Sequence, residues 1–118
     1  MKDQQKAIVA EIAAAMINGL EYNSIYDHTA RKWVKATARA TDARVDAYDY
    51  TRRNHVSGDL PNAVYDHDLR TFLQFTPTAN GVRGYDHGTG AHFEAVVSGK
   101  AISLYDHADG RWYAFEVG

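Results

Sequence analysis

The spacing of hydrophobic residues changes once along this chain. In the first twenty residues they recur with the period of an α-helix, and beyond them they alternate with polar residues, as in β-strands. We predict a helix from about Gln4 to Ile17 or Asn18, capped by Asp3 and ended by Gly19. Its apolar side chains sweep about half of the circumference, so we expect other elements to surround this helix on more than one side.

The alternating part contains five copies of a tripeptide, Tyr-Asp-His or Tyr-Asp-Tyr, which begin at Tyr26, Tyr48, Tyr65, Tyr85 and Tyr105. The residue seven positions after each Tyr is aromatic or His, and these residues are Trp33, His55, Phe72, His92 and Trp112. The eighth, tenth and twelfth positions are mostly apolar, and they share one face of a strand. Such a recurring unit indicates a structural repeat, and we interpret each copy as a β-hairpin.

Each hairpin is expected to have a four-residue loop, such as Thr29–Lys32 or Gly88–Ala91. This loop places the third motif residue opposite the aromatic or His residue that follows: His28 opposite Trp33, Tyr50 opposite His55, His67 opposite Phe72, His87 opposite His92, and His107 opposite Trp112. The Asp of each motif lies on the apolar side, just before the loop. We expect its carboxylate to accept hydrogen bonds from backbone N–H groups of the loop.

These elements predict a mainly β (α+β) fold: an antiparallel meander of about ten short strands, curved or barrel-like, packed around one N-terminal helix. Residues 1–20 form the helical part and residues 21–118 the five-hairpin sheet. The chain has 118 residues, which is the size of one domain. We therefore expect the helix and the sheet to share one core.

Composition excludes several classes of protein. The chain has no cysteine, which excludes disulfides and cysteine zinc sites, and its net charge of −2 gives no general reason to expect nucleic acid or an anionic membrane. No apolar run is long enough to span a membrane and no secretion signal is present, so we expect a cytoplasmic protein. Common catalytic and phosphate-binding motifs are absent as well. We therefore expect neither enzymatic activity nor a cofactor.

The leading functional prediction is a protein-interaction module, either a monomer or a homodimer. If the apolar face packs on the helix, the opposite face presents a set of aromatic side chains suited to a binding interface: Tyr26, Trp33, Tyr48, Tyr65, Tyr85, Tyr105 and Trp112. A basic rim at the hairpin loops accompanies this aromatic face, and its residues are Arg31, Lys32, Arg52, Arg53, Arg70 and Arg111.

Two alternatives use the same surface. Basic loops next to aromatic rings would also suit single-stranded nucleic acid or an anionic small molecule, through charge and stacking. The third hypothesis is a zinc-dependent activity. It places His87 across from His92, with Glu94 on the same strand face as His92, as three ligands of an open zinc site.

The segments Ile25–His28, Ala47–Tyr50, Gly84–Phe93 and Ile102–Tyr113 resemble a loose group of small bacterial and prophage-borne proteins with repeated Tyr-Asp-Tyr hairpins. The resemblance covers the chain from about Asn23 to its C-terminus. This chain differs from that group at the third motif position, which is His in four of its five copies. The resemblance implies a bacterial or phage accessory protein, such as one that blocks a host enzyme or defence complex.

Overall fold

One helix and ten strands follow each other in the computed structural model, which describes all 118 residues. In chain order they are α1 (Asp3–Asn18), β1 (Tyr22–Asp27), β2 (Lys32–Ala40), β3 (Arg44–Asp49), β4 (Asn54–Asp59), β5 (Ala63–Asp66), β6 (Thr71–Pro77), β7 (Gly81–Asp86), β8 (Ala91–Ser98), β9 (Ala101–Asp106) and β10 (Arg111–Val117). Consecutive strands pair antiparallel, and β10 pairs with β1 to close a barrel. The predicted ten-strand meander is confirmed, and its curvature continues to full closure. Hairpins 1 to 5 are the strand pairs β1–β2, β3–β4, β5–β6, β7–β8 and β9–β10.

The barrel surrounds α1. Ile8, Val9 and Ile12 are almost completely shielded from solvent, and so are the polar residues Gln5 and Glu11 on the same helix. A ten-stranded barrel is wide enough to hold more than its own inward side chains, and here the helix fills the space. The prediction that the sheet surrounds the helix is therefore confirmed, and the burial extends around its whole circumference.

The two ends of α1 differ in how far they follow the prediction. Gly19 has a left-handed backbone (φ 65°) and donates its N–H to the carbonyl oxygen of Ala15 at 3.0 Å, as expected for a helix C-terminus. The predicted N-cap is wrong, because Lys2 occupies that position and no side chain caps the helix. Asp3 is instead the first helical residue, and its carboxylate accepts a hydrogen bond from Lys6 Nζ at 2.7 Å.

The predicted cross-strand pairing is wrong by two residues. The residue opposite Trp33 is Tyr26, not His28, and the other four hairpins show the same shift, with Tyr48 opposite His55, Tyr65 opposite Phe72, Tyr85 opposite His92 and Tyr105 opposite Trp112. Each loop still has four residues, but it begins with the third motif residue. The strand faces are unchanged because a shift of two residues keeps every side chain on the same side.

The motif Asp sets where the loop begins. In hairpin 1, Asp27 Oδ1 accepts hydrogen bonds from the N–H groups of Thr29 at 2.9 Å and Ala30 at 3.1 Å. Asp49, Asp66, Asp86 and Asp106 cap their own loops in the same way. The fourth loop residue is left-handed in every hairpin (Arg31, Arg53, Arg70, Gly90 and Gly110), which turns the chain into the next strand. The predicted capping role of the motif Asp is confirmed.

The core lies between α1 and the inward face of the barrel. Apolar residues at the predicted alternating positions fill it, among them Val56, Leu73, Phe75, Phe93 and Phe115. The rings of Phe75 and Phe93 meet edge to face with centroids 5.5 Å apart. Gly84 on β7 permits this arrangement, because a Cβ there would clash with the Phe93 ring. No helix in the protein has the length and apolar character needed to cross a membrane.

The pairing between hairpins is shifted at the two junctions that flank hairpin 1, and one of them borders the cavity described below. His67, His87 and His107 each donate their N–H to the residue seven positions after the preceding motif Tyr. At the β10–β1 junction His28 donates to Ala114, and at the β2–β3 junction Tyr50 donates to Lys35; each of these acceptors lies two residues further along. As a result Asp49 lies beside Ala36, and Val34 is left only partly covered.

Candidate functional site

Each hairpin carries a cluster of three rings on the outside of the barrel. The motif Tyr lies in the centre, flanked by the third motif residue and by the residue opposite it on the next strand, with centroid distances of 4.7–5.4 Å. Most of these contacts are edge to face, a favourable geometry for aromatic pairs. We call the five clusters together the aromatic belt.

The aromatic belt encircles the barrel because the barrel is closed. The structure thus places Tyr26, Trp33, Tyr48, Tyr65, Tyr85, Tyr105 and Trp112 on the outward face, as predicted, but not on one flat surface. The five motif Tyr residues are half-buried, and the flanking rings carry most of the exposed area. A flat partner would meet only part of the belt.

The largest exposed rings are concentrated on four neighbouring strands. Trp112 on β10 is 60% exposed, Trp33 on β2 is 56% exposed, and Tyr50 at the end of β3 is 46% exposed. Tyr26 and His28 lie on and beside β1, between the two Trp residues. We call Trp112, Tyr26, Trp33 and Tyr50 the tryptophan sector. Phe72, 46% exposed, is the matching large ring outside this sector.

The basic rim lies mostly on the same side as the tryptophan sector. Arg31, Lys32, Arg53 and Arg111 are exposed and belong to hairpins 1, 2 and 5, while Arg70 is exposed on hairpin 3. Lys35 adds a further cation, with its Nζ 5.0 Å from the centroid of the Tyr50 ring. Hairpin 4 contributes no basic residue from its loop. The exposed residues of the basic rim are therefore concentrated on hairpins 1, 2 and 5.

The prediction that Arg52 belongs to the exposed basic rim is wrong, because its side chain is only 8% exposed. Its Nε lies 2.7 Å from Asp49 Oδ2, and its Nη1 lies 3.0 Å from Asp66 Oδ2 and 3.2 Å from Asp68 Oδ2. Burial lowers the pKa of the guanidinium, but the hydrogen bonds to Asp49 and Asp66 outweigh this effect and raise it overall. Arg52 is thus a buried structural cation.

The three predicted zinc ligands do not come together. The residue opposite His92 is Tyr85, and the His87 ring packs against Tyr85, at 4.8 Å between centroids. Glu94 faces other partners, His107 Nε2 at 3.3 Å and Arg83 Nε at 3.8 Å. No group of three His, Cys, Asp or Glu side chains is placed to hold a metal ion. The assumed pairing of His87 with His92 was wrong for the same reason as the other pairings.

The inward oxygens of the motif Asp residues form a ring around the first turns of α1, which we call the carboxylate ring: Asp27, Asp49, Asp66, Asp86 and Asp106. Hydrogen-bond donors or cations that belong to the protein itself contact four of these residues. Arg52 binds Asp49 and Asp66, and Gln5 Nε2 donates to Asp66 Oδ2 at 2.9 Å. The positive end of the helix dipole points at the same ring, which also favours negative charge there.

The amino group of Met1 contacts the other two of these four residues, Asp86 and Asp106. It lies 2.9 Å from Asp106 Oδ2 and 3.7 Å from Asp86 Oδ2, and Thr89 Oγ1 donates to Asp86 Oδ2 at 2.9 Å. Lys6 lies nearby, with its Nζ 3.3 Å from Asp109 Oδ2 and 3.9 Å from the centroid of the Tyr113 ring. Burial lowers the pKa of Lys6, but hydrogen bonds to Asp3, Tyr113 and Asp109 raise it overall.

Glu11 is a buried carboxyl group that the sequence did not identify as significant. It is fully shielded by the barrel, and neither carboxyl oxygen has a hydrogen-bond partner. Burial raises the pKa of Glu11 to about 9, and the negative charge of Asp49 adds to the shift. Gln5, Lys6 and Glu11 were also missed as ring-associated residues. The only signal in the sequence was their polar character on a mostly apolar helix.

Comparison with known proteins gives no relative for this chain: no protein-family model, no curated protein and no solved structure matches it.

Proposed function

We propose that this protein is a non-catalytic interaction module that binds another protein through the tryptophan sector. The observation that supports this most is the concentration of Trp112, Trp33 and Tyr50, each about half exposed, on one side of the barrel. Tyr, Trp and Arg are the residues most enriched at the energetic centres of protein interfaces. The Tyr at the centre of each cluster holds its flanking rings in place, so little side-chain entropy would be lost on binding.

The basic rim indicates the charge of the partner. Arg31, Lys32 and Arg53 lie beside the tryptophan sector, so an acidic protein surface would complement it. Recognition would depend on side chains, because the closed barrel has no free strand edge to which a partner strand could be added.

The biological setting that we propose rests on the resemblance of the repeat to small bacterial and prophage proteins. We infer a cytoplasmic accessory protein of a bacterium, a phage or a mobile element that inhibits a host complex. The size of the chain and its exposed aromatic rings are consistent with a blocking role, in which one surface covers a site on a larger protein.

A capture experiment with matched variants tests the proposal. Wild-type protein, the double variant Trp33→Ala/Trp112→Ala and the control Phe72→Ala are immobilised and exposed to a bacterial extract, and bound proteins are identified by mass spectrometry. Phe72 occupies the same motif position in hairpin 3 but lies outside the sector. We expect a protein that wild type and Phe72→Ala retain and the double variant loses. Equal retention by all three would show that the sector is not the binding site.

Single-stranded nucleic acid is the second candidate, favoured by the placement of exposed rings beside Arg31, Lys32 and Arg53. Fluorescence anisotropy of a labelled oligonucleotide, measured at several salt concentrations, distinguishes the two. Affinity for a nucleic acid would fall steeply with salt, and the variant Arg31→Ala/Lys32→Ala/Arg53→Ala would reduce the logarithmic slope by about two units. Such a result would replace the protein-partner proposal.

A further inference from the structure

The five motif Asp residues are equivalent in sequence but not in their surroundings. Four of them have a hydrogen-bond donor or a cation of the protein at the inward oxygen; for Asp106 it is the Met1 amino group, an ion pair at 2.9 Å without hydrogen-bond geometry. Asp27 is the exception: its Oδ1 caps the loop, and no side chain or amino group of the protein pairs with its Oδ2. Asp27 is also the only ring member that is half-buried, whereas the other four are buried. One position of the ring is therefore left without a cation.

A cavity of about 260 Å³ borders Asp27 at this position. It lies between the first turns of α1 and hairpins 1 and 2, and Ala7, Val34 and Thr51 form part of its wall. It lies at the β2–β3 junction, where the pairing is shifted by two residues and Val34 is only partly buried. The cavity has room for a group of several heavy atoms.

The charges around the cavity leave Asp27 uncompensated. Asp49 is paired with Arg52, and Asp3 is paired with Lys6 at 2.7 Å. Lys32 borders the cavity but is exposed and makes no ion pair. Arg52 borders it too; this side chain is only 8% exposed, and its Nη2 is buried without a hydrogen-bond partner. A buried donor with no acceptor is costly, so an acceptor that reached Arg52 Nη2 would stabilise the complex.

We propose that this cavity binds a cationic group, an ammonium or a guanidinium, whose charge pairs with Asp27, together with an oxygen acceptor for Arg52 Nη2. The bound group would occupy the position that Arg52 and the Met1 amino group occupy at the other ring members. It would belong either to a free compound, such as a basic amino acid, or to a Lys or Arg side chain of a protein. This site is separate from the tryptophan sector and does not depend on it.

Titration of the whole protein with three probes tests the proposal: arginine, agmatine, which lacks the carboxylate, and a short arginine-containing peptide. Amide NMR signals report the site, because the N–H groups of Thr29 and Ala30 bond directly to Asp27. We expect saturable shifts at Thr29, Ala30 and Thr51. If the peptide binds and free arginine does not, the source is a protein side chain. If arginine binds better than agmatine, the carboxylate contacts Arg52. Both outcomes support the proposal.

Asp27→Asn is the decisive variant. The amide oxygen of Asn can still cap the loop, so the hairpin is preserved while the charge is lost. We expect it to weaken binding by at least about tenfold, and Asp42→Asn, in the β2–β3 turn at the other end of the barrel, to leave binding unchanged. If Asp27→Asn does not fold, Asp27→Ser serves instead, because its hydroxyl group can also cap the loop.

Three results would overturn the proposal. The first is no saturable shift with any probe up to about 10 mM. The second is equal binding by wild type and Asp27→Asn. The third is binding by Lys32→Ala but not by wild type, which would show that the ammonium group of Lys32 itself occupies the position beside Asp27.

Discussion

The two oxygens of each motif Asp have different tasks. Oδ1 accepts hydrogen bonds from the loop, which is a local task that every copy repeats, and the inward oxygen faces α1, where its partner depends on position. Arg52 shows the second task best, because one guanidinium contacts both Asp49 and Asp66. Identical motif residues thus acquire different electrostatic surroundings.

Arg52→Ala should destabilise the protein by about 3–5 kcal/mol, because it leaves Asp49 and Asp66 buried without their cation. Urea denaturation followed by circular dichroism measures the change. Arg53→Ala is the matched control, since Arg53 is the next residue and is exposed; it should change the free energy of unfolding by no more than about 0.5 kcal/mol. Equal stability of the two variants would contradict the structural role of Arg52.

Glu11 makes stability depend on pH. Its pKa rises from 4.5 in the unfolded chain to about 9 in the folded protein, so between these values only the folded state holds the proton. The free energy of unfolding contributed by this group therefore falls as pH rises through that window, by up to about 1.4 kcal/mol per pH unit.

Urea denaturation between pH 5 and pH 8 should show this slope in the wild type and a reduced slope in Glu11→Gln, which cannot ionise. Glu116→Gln, at an exposed position on β10, should keep the wild-type slope. If wild type and Glu11→Gln change in parallel across this range, Glu11 is ionised in the folded protein and the argument from its burial fails.

At the scale of elements, the helix and the hairpins depend on each other. A helix that is apolar on one half and carries Gln5, Lys6 and Glu11 elsewhere has no solvated face in this fold, because the barrel surrounds it. The hairpins in turn present apolar rows that only α1 covers. Packing of these two surfaces, rather than helix propensity, holds α1 in place.

Ile12→Asp should unfold the protein, because it places an unpaired charge at a position that is completely buried. The cost of several kcal/mol is comparable to the total stability of a domain, about 5–15 kcal/mol. Leu20→Asp, at a position that is 59% exposed just beyond α1, is the control and should fold normally. Near-UV circular dichroism and urea denaturation distinguish the outcomes, and a cooperative transition in Ile12→Asp near that of the wild type would contradict the burial of α1.

The whole molecule is one structural unit, because α1 and the barrel share one core. Gln5, Lys6 and the Met1 amino group all reach from the N-terminal segment to the loop end of the barrel. Closure also decides the shape of the outer surface, since it distributes five equivalent ring clusters around the circumference. The differences between those clusters, and not their repetition, give the surface a preferred side.

Removal of residues 1–20 should therefore leave a molten or aggregated chain, because it exposes the inward apolar rows and leaves three buried carboxylates, Asp66, Asp86 and Asp106, without these partners. Size-exclusion chromatography and near-UV circular dichroism test this, with the full-length chain as reference. A truncated chain that stays monomeric and unfolds cooperatively would show that the barrel does not need the helix.

The sequence alone determined the helix, its C-terminal end, the five hairpins, their loop length and the face that each strand turns inward. These features depend on periodicity and on contacts within a few residues, such as the bonds from Asp27 to Thr29 and Ala30, so local physical rules predict them. The register error had a local cause as well, namely the exact residue at which the Asp cap starts the loop.

Only the tertiary structure decided the features that depend on neighbours distant in sequence. Closure requires β1 to meet β10, which results from the twist and stagger added over all ten strands. The burial of Arg52, the concentration of basic residues on one side and the cavity beside Asp27 all depend on which hairpin lies next to which, and at what register. Five nearly identical motifs carry no record of that order, so their sequence predicts one hairpin five times, and the barrel makes each of them different.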